Sequence, residues 1–279
     1  MSFVDARRPQ QSISLSIRPV FKRGTIFWLL GLCLILSLLV PLFYFLVSLS
    51  WSDVWTALSD PDALSALWTS VVSATLSTIV MGIFGVPLAY VLARFTFPGK
   101  AIVSLALYLP LVFPPVVSGI VLLILYGPYG PIGSILTSLH LEVDETLAGI
   151  VIAQVFVAVP FVVVAARSAF EAIDPRLEQV AATLGHERWS LFWRVSLPLA
   201  RNGVIAGLVL AWLRAMGEFG ATVVMAYHPY TLPVYTFVQL SGTGVASALP
   251  PAVFALVVSC IVVGPVLWLQ RRREGPLPL

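Results

Sequence analysis

Charged residues are scarce in this chain of 279 residues. Asp, Glu, Lys and Arg make up only 10% of the sequence, hydrophobic residues make up 59%, and the mean hydropathy is +0.97. A soluble domain usually has about 25% charged residues, so this chain has too few to cover a globular surface. We therefore expect its outer surface to contact membrane lipid. The composition excludes soluble enzymes, secreted disulfide-linked domains and disordered tails.

Cysteine and histidine are also rare, with two cysteines and three histidines. Cys33 and Cys260 fall in hydrophobic segments and the histidines lie far apart, so neither a disulfide framework nor a metal site is indicated. The phosphate-binding pattern G-x-x-x-x-G-K-[ST] does not occur in the sequence. We predict no cofactor, no metal and no catalysis in this chain.

Six hydrophobic segments are long enough to cross a bilayer, which takes about 20 apolar residues in a helix. They cover residues 25–48, 66–91, 101–126, 148–166, 204–226 and 251–270. The sequence thus predicts an all-α membrane protein with six transmembrane helices in the cell membrane. The predicted organisation is an N-terminal cytoplasmic segment (1–24), a transmembrane domain (25–270) and a cytoplasmic tail (271–279).

The basic residues predict the orientation. Fifteen of the sixteen Lys and Arg residues lie before the first segment, between the second and third, between the fourth and fifth, or after the sixth. The other three loops have neither Lys nor Arg, and the first two of them carry acidic residues such as Asp53, Asp60 and Glu145. Because Lys and Arg collect on the cytoplasmic side, we predict that both termini are cytoplasmic. Topology accounts for the basic residues, so we expect no nucleic-acid partner.

One predicted cytoplasmic loop, residues 167–201, is long enough to form helices of its own. Asp174-Pro175 is typical of a helix start, with Asp as the N-cap and Pro at the first helical position. Gly185 is placed where a C-cap glycine would end the helix. Between them, apolar residues recur at helical spacing: Leu177, Val180, Ala181 and Leu184. We predict a short capped helix here.

A second amphipathic piece follows, and we expect Leu197-Pro198 to stop it. Its aromatic residues, including Trp189 and Trp193, could simply lie against the membrane interface. That interpretation does not explain a capped helix with small residues, which permit close approach of another protein. We therefore favour a helix that docks on a partner.

The loop also contains a recognisable motif. It reads Leu177-Glu178-Gln179-Val180-Ala181-Ala182-Thr183-Leu184-Gly185, then nine residues, then Val195-Ser196-Leu197-Pro198. This string resembles the EAA loop of ABC importer permeases, although Gln179 stands where the family usually has Glu and Val180 where it has the first Ala. The resemblance implies a type I ABC importer-like fold and a coupling helix that sits in a groove of an ATPase subunit. It assigns coupling to Glu178, Gln179, Val180, Ala181, Gly185, Leu197 and Pro198.

Two further strings are similar to those of molybdate/tungstate and sulfate permeases. One is L-P-L-V-F-P-P-V-V-S-G, from Leu109 to Gly119, and the other is R-A-M-G-E-F-G-A-T, from Arg214 to Thr222. The prolines of the first string favour molybdate or tungstate over sulfate or thiosulfate. The resemblance implies cytoplasmic ATPase subunits that hold ATP and Mg²⁺, a second permease copy in a homodimer, and an extracytoplasmic substrate-binding protein.

The third predicted span has three prolines within six residues: Pro110, Pro114 and Pro115. Proline interrupts helical hydrogen bonding, and irregular backbone at membrane depth is tolerated only inside protein or beside a water-filled cavity. This span should therefore face the bundle interior, where its prolines form a hinge or a pathway wall. A kink that serves helix packing alone is the alternative.

Arg214 and Glu218 are the only charges well inside a predicted span. Four residues apart, they share one helix face and can neutralise each other, while Gly217 and Gly220 allow close helix contact. A structural role for the pair is favoured, because a carboxylate would repel a divalent oxyanion. Arg214 as a transient anion contact is the alternative. Together with the three prolines, these four residues form the predicted translocation pathway or gate.

Two other classes of membrane protein compete with the permease. A secondary transporter or channel without an ATPase would show repeated broken helices or several intramembrane charges, whereas only the third span looks strongly broken. A membrane enzyme would need clustered catalytic groups, which the inner loops do not offer.

Overall fold

The computed structural model describes residues 21–274, and within that range the regular structure is entirely helical. The chain divides into two units: one ends at Leu49, and the other begins at Ser50. The helices in chain order are α1 (Phe21–Val47), α2 (Trp51–Ala57), α3 (Pro61–Arg94), α4 (Lys100–Val112), α5 (Pro115–Tyr126), α6 (Gly133–Ser138), α7 (Leu147–Glu171), α8 (Pro175–Thr183), α9 (Arg188–Leu191), α10 (Leu197–Met216), α11 (Gly220–Met225), α12 (Leu232–Gly242) and α13 (Val245–Glu274). A π-helical turn, Phe192–Ser196, joins α9 to α10.

Five helical segments among the described residues are long and apolar enough to cross a membrane: Ile26–Val47, Pro61–Arg94, Leu147–Glu171, Arg188–Met216 and Val245–Val266. A sixth span is reached if α4 and α5 are taken together. The predicted all-α fold is therefore confirmed. Residues 1–20 of the predicted N-terminal segment and residues 275–279 of the predicted tail lie outside the described part of the chain. The assignment of both termini to the cytoplasm stays a prediction.

The core of the second unit is a three-helix arrangement of α3, α7 and α10. Small residues allow these helices to approach closely: Gly85 of α3 packs against Val163 of α7, and Gly207 of α10 packs against Ala165 of α7. Glycine and alanine are common where membrane helices meet because they bring backbones close together. Helices α3 and α7 run in the same direction, since Ser77 contacts Gln154 and Gly85 contacts Val163. Helix α10 runs against them, since Ala215 contacts Gln154 and Gly207 contacts Ala165.

Two of the predicted spans are broken. The third span, expected as one segment of residues 101–126, is two helices that meet at Phe113-Pro114 at an angle of 117°. Its break falls at Pro114-Pro115, while Pro110 lies inside α4. Pro115 at the first position of α5 cannot donate the hydrogen bond that would continue α4.

The observed bounds of the fifth span differ more from the predicted ones. Its helix begins at Arg188, well before residue 204, and α10 ends at Met216. Residues 217–219 then interrupt the helix before α11 begins. The predicted fifth span is therefore also interrupted, at two side-chain contacts described below. Among the described residues, a strong bend between two halves of one span is found only in the third span.

Helix α12 is fastened to the start of α3 at the opposite end from α8. The Tyr235 hydroxyl donates to Asp60 Oδ2 at 2.5 Å and accepts from Gln239 Nε2 at 2.8 Å. Burial and the hydrogen bond to Asp60 raise the pKa of Tyr235 to about 12. The raised pKa keeps the phenol protonated to a higher pH than that of an unperturbed tyrosine.

Candidate functional site

Helix α8 forms as the sequence predicts. The Asp174 side chain accepts a hydrogen bond from the Arg176 N–H at 2.9 Å, and Pro175 occupies the first helical position. Gly185 follows the helix with φ of +88°, a left-handed conformation that suits glycine. These local caps define the start and the end of α8.

The two faces of α8 differ in exposure. Ala181 is buried against the protein, whereas three apolar side chains point outward and are more than half exposed: Leu177, Val180 and Leu184. Gln179 is also exposed. Exposed apolar residues grouped on one helix face indicate a surface for another protein.

Glu178 turns toward the rest of the chain. Its Oε1 atom lies 2.9 Å from Arg94 Nε and accepts a hydrogen bond from Ser196 Oγ at 2.8 Å. Arg94 also donates to the carbonyl of Ile173 at 3.1 Å. One carboxylate thus joins the end of α3, helix α8 and the π-helical turn.

The segment after α8 is continuous with α10. The expectation that Leu197-Pro198 stops the second amphipathic piece was wrong, because both residues begin α10. Pro198 has no N–H for the carbonyl four residues earlier, and the wider turn directly before it accommodates the missing bond. Phe192 in this turn packs on Tyr90 of α3, with ring centroids 5.1 Å apart. The loop therefore packs against the helix bundle.

The broken spans contact each other through their glycines. A Cβ atom placed on Gly220, at the start of α11, would lie 2.5 Å from the Pro115 Cβ at the start of α5. A Cβ on Gly119 would lie 2.8 Å from the Ala221 carbonyl oxygen. We call these two approaches the α5–α11 contact. Gly217 makes no such approach, since only the carbonyl of Leu213 in its own helix lies near, at 3.6 Å.

Glu218 lies in the break of the fifth span and is 1% exposed. Its Oε1 atom accepts a hydrogen bond from the Ala221 N–H at 2.7 Å, which caps the first turn of α11. Its Oε2 atom lies 2.5 Å from Arg214 Nη2. The pair predicted from the sequence forms, although Glu218 lies beyond the end of α10 and not on an unbroken helix face.

Gln154 of α7 binds the last turn of α10, next to the same break. It is 1% exposed, and its Nε2 atom donates to the Ala215 carbonyl and to Ser73 Oγ, each at 3.1 Å. Its Oε1 atom accepts from Ser77 Oγ at 2.8 Å. The side chain therefore joins α3 and α7 to the last turn of α10, near the middle of α3.

Comparison with known proteins identifies the family. Residues 85–275 match the model of the binding-protein-dependent transport system inner membrane components. The chain belongs to this family. It is a permease of the ABC importer class, in a multi-pass arrangement in the membrane.

Individual relatives show which permeases this chain is similar to. The permease is 43% identical over 276 residues to a probable molybdenum ABC transporter permease of Haloferax volcanii, with 99% of both chains covered. It is 37% identical to a molybdate/tungstate transport system permease of Thermococcus kodakarensis, over 78% of this chain and 83% of the relative. A sulfate transport system permease of Escherichia coli is 34% identical, over 81% of this chain and 79% of the relative.

A solved structure agrees on the fold. The permease resembles a chain of a bacterial ABC transporter involved in alginate import, with a TM-score of 0.70 and 17% identity. The match covers 90% of this chain and 96% of that one. The predicted type I importer-like fold is confirmed, and the family decides against a secondary transporter, a channel without an ATPase or a membrane enzyme.

The structure brings the predicted site residues together in two places. The residues assigned to coupling lie on α8, just after it, or at the start of α10, and most of those assigned to the pathway lie at or next to the two breaks. Pro110 lies within α4, and Gly217 has no close helix neighbour. Their roles in coupling and in the pathway stay predictions.

Sequence reasoning missed Arg94, Ser196 and Gln154 as parts of these places. A signal existed for Gln154, since an amide inside an apolar span has to find hydrogen-bond partners. Arg94 looked like one of many cytoplasmic basic residues, and only the folded chain brings it to Glu178, 84 residues later.

Proposed function

We propose that this permease imports a tetrahedral oxyanion, molybdate or tungstate, in an ATP-driven complex. The observation that carries the proposal is the 43% identity to a probable molybdenum permease over nearly the whole length of both chains. The molybdate/tungstate relative at 37% identity supports the same substrate.

Docking of the ATPase is assigned to α8. Its outward apolar face of Leu177, Val180 and Leu184 is exposed and unmatched within the described residues, as a face that enters a groove of another subunit must be. Two ATPase subunits would supply ATP and Mg²⁺. ATP binding can switch the permease only by favouring one of its conformations, and the Arg94–Glu178–Ser196 connection carries the movement of α8 into the bundle.

The pathway is assigned to the region of the two breaks. Arg214 is 28% exposed in its side chain, and its charge is balanced by the buried Glu218. The α5–α11 contact closes the pathway beside this pair in the proposal, and separation of the two helices opens it. A second copy of the permease forms the other wall, and an extracytoplasmic binding protein delivers the anion at the end opposite to α8.

The test is the ATPase activity of the reconstituted complex with its binding protein, titrated with molybdate, tungstate, sulfate and phosphate. Half-maximal stimulation by molybdate or tungstate at far lower concentration than by sulfate supports the proposal. A preference for sulfate, for which the 34% identical sulfate permease is the specific support, would change the substrate and keep the mechanism. Failure of any ATPase to co-purify would contradict the whole proposal.

A further inference from the structure

Two buried hydroxyl groups flank the α5–α11 contact. Ser118 directly precedes Gly119 in α5, and Thr222 directly follows Ala221 in α11. Both residues are 0% exposed. Within residues 21–274, no hydrogen-bond partner reaches Ser118 Oγ or Thr222 Oγ1.

Such unpaired hydroxyls are unusual in a helix. Serine and threonine commonly donate to a carbonyl three or four residues earlier, as Thr75 and Thr78 do in α3. A buried polar group without a partner is unfavourable and calls for an explanation. Among the described residues, three buried hydroxyls lack a partner, those of Ser118, Thr222 and Thr231. Ser118 and Thr222 lie beside the contact whose separation the proposed transport cycle requires.

The surroundings of Ser118 suit a negative ligand. Helix α5 has twelve residues, and no side chain caps its N-terminal turn. Side chains of a helix tilt toward its N-terminus, so the Ser118 hydroxyl leans toward this uncapped end, where the free N–H groups and the helix dipole favour anions. The charge of the nearby Glu218 carboxylate is balanced by Arg214, and its Oε1 atom already accepts a hydrogen bond from the Ala221 N–H. Both contacts reduce its repulsion of an anion.

We propose that Ser118 and Thr222 form a transient oxyanion-binding site, in which both hydroxyls donate hydrogen bonds to substrate oxygen atoms when α5 and α11 separate. This inference rests on the proposed function and adds the residues that contact the anion in transit. A fully deprotonated tetrahedral oxyanion has four acceptor oxygens and no proton to donate, so hydroxyl donors match it. The hydroxyls are buried and have no partner among the described residues, and in the proposal the passing anion supplies their missing acceptor.

The experiment compares Ser118→Ala and Thr222→Val with the wild type in the complete complex, reconstituted into proteoliposomes with its ATPase and binding protein. Molybdate and tungstate uptake per ATP hydrolysed is measured, together with the melting temperature of each purified complex. The matched control is Thr78→Val, which removes a membrane-helix hydroxyl that is already paired with the Ala74 carbonyl at 2.7 Å.

We expect uptake per ATP to fall roughly ten-fold in Ser118→Ala and in Thr222→Val, the size expected for one lost hydrogen bond to a charged group, and to stay unchanged in Thr78→Val. The melting temperatures of the two site variants should equal or exceed that of the wild type, because each removes an unpaired buried hydroxyl.

Unchanged uptake per ATP in both site variants would overturn the oxyanion site and leave the proposed function standing. Loss of uptake together with a lower melting temperature would also overturn it, since that result indicates a packing role. Absence of oxyanion uptake by the wild-type complex would overturn the proposed function and this site with it.

Discussion

The Arg94 guanidinium, at the last turn of α3, lies 2.9 Å from the carboxylate of Glu178 in α8. The two side chains are only 11% and 12% exposed. This ion pair joins the long helix at the centre of the bundle to the short helix whose apolar face is exposed. A displacement of α8 therefore has to move the end of α3 or break the pair.

Replacement of Arg94 by Met should uncouple the transporter. Loss of one partner leaves a largely buried carboxylate without its cation, at a cost of about 3 kcal/mol. We expect ATP hydrolysis to persist while oxyanion uptake per ATP falls at least several-fold, with partial recovery in the charge-swapped Arg94→Glu/Glu178→Arg double variant. Reconstituted uptake and phosphate release, measured on the same vesicles, check this.

The matched control for that pair is Arg167→Met. Arg167 pairs with Glu171 at 2.7 Å, but this pair is far more exposed and should contribute only about 0.5 kcal/mol. Equal loss of coupling in the two variants would contradict the special role of Arg94.

Substitution of Gly220 by Ala should open the α5–α11 contact. The new methyl group would lie 2.5 Å from the Pro115 Cβ, so α5 and α11 would have to move apart, at about 1–3 kcal/mol. We expect ATP-independent leakage of oxyanion from loaded proteoliposomes. The same change at Gly217, where the nearest atom is 3.6 Å away, should leave the vesicles tight. A tight Gly220→Ala variant would show that this contact does not close the pathway.

Replacement of Gln154 by Met should destabilise the bundle and loosen the break in the fifth span. Met has a similar volume but leaves Ser73, Ser77 and the Ala215 carbonyl without the amide. Three modest hydrogen bonds lost together correspond to about 2 kcal/mol. Thermal unfolding of the purified complex measures this, and Ser77→Ala, which removes one of the bonds, should show a smaller effect. Equal melting temperatures for wild type and Gln154→Met would show that the hydrogen bonds of Gln154 do not stabilise the bundle.

Arg214 and Glu218 should behave as a coupled pair. Arg214→Met leaves a carboxylate that is 1% exposed without its counter-ion, and we expect a loss of about 3–5 kcal/mol in the free energy of unfolding. Adding Glu218→Gln should restore part of that stability, because the amide oxygen can still accept from the Ala221 N–H. A double-mutant cycle gives the coupling energy, and simple additivity would mean that the charges do not interact.

The prediction of α8 succeeded because its determinants are local. Asp174, Pro175 and Gly185 lie within the helix or directly beside it, and each acts on its own backbone or that of a near neighbour. The break at Pro114-Pro115 was predictable for the same reason, since proline forbids the continuing hydrogen bond whatever surrounds it. The 117° angle between α4 and α5 was not predictable, because it depends on where α5 packs.

The break in the fifth span, in contrast, depends on residues that are distant in the sequence. Residues 217–219 contain no proline and lie inside a mostly apolar segment long enough for a span. The sequence therefore predicts one continuous helix, although Gly217 and Gly220 lower the helix propensity there. The amide of Gln154, 61 residues away, binds the Ala215 carbonyl, and Glu218 caps the Ala221 N–H. These contacts satisfy backbone groups that an unbroken helix would have paired internally.

The sequence by itself determined the membrane class, the approximate positions of six apolar segments, the capped helix α8 and the family motif it carries, because hydrophobicity and capping act over a few neighbouring residues. Only the tertiary structure decided that Glu178 faces Arg94, that Gln154 holds a helix end, and that Gly119 and Gly220 bring two half-spans together. Each of these contacts joins residues far apart in the chain, and burial in the packed bundle selects their partners.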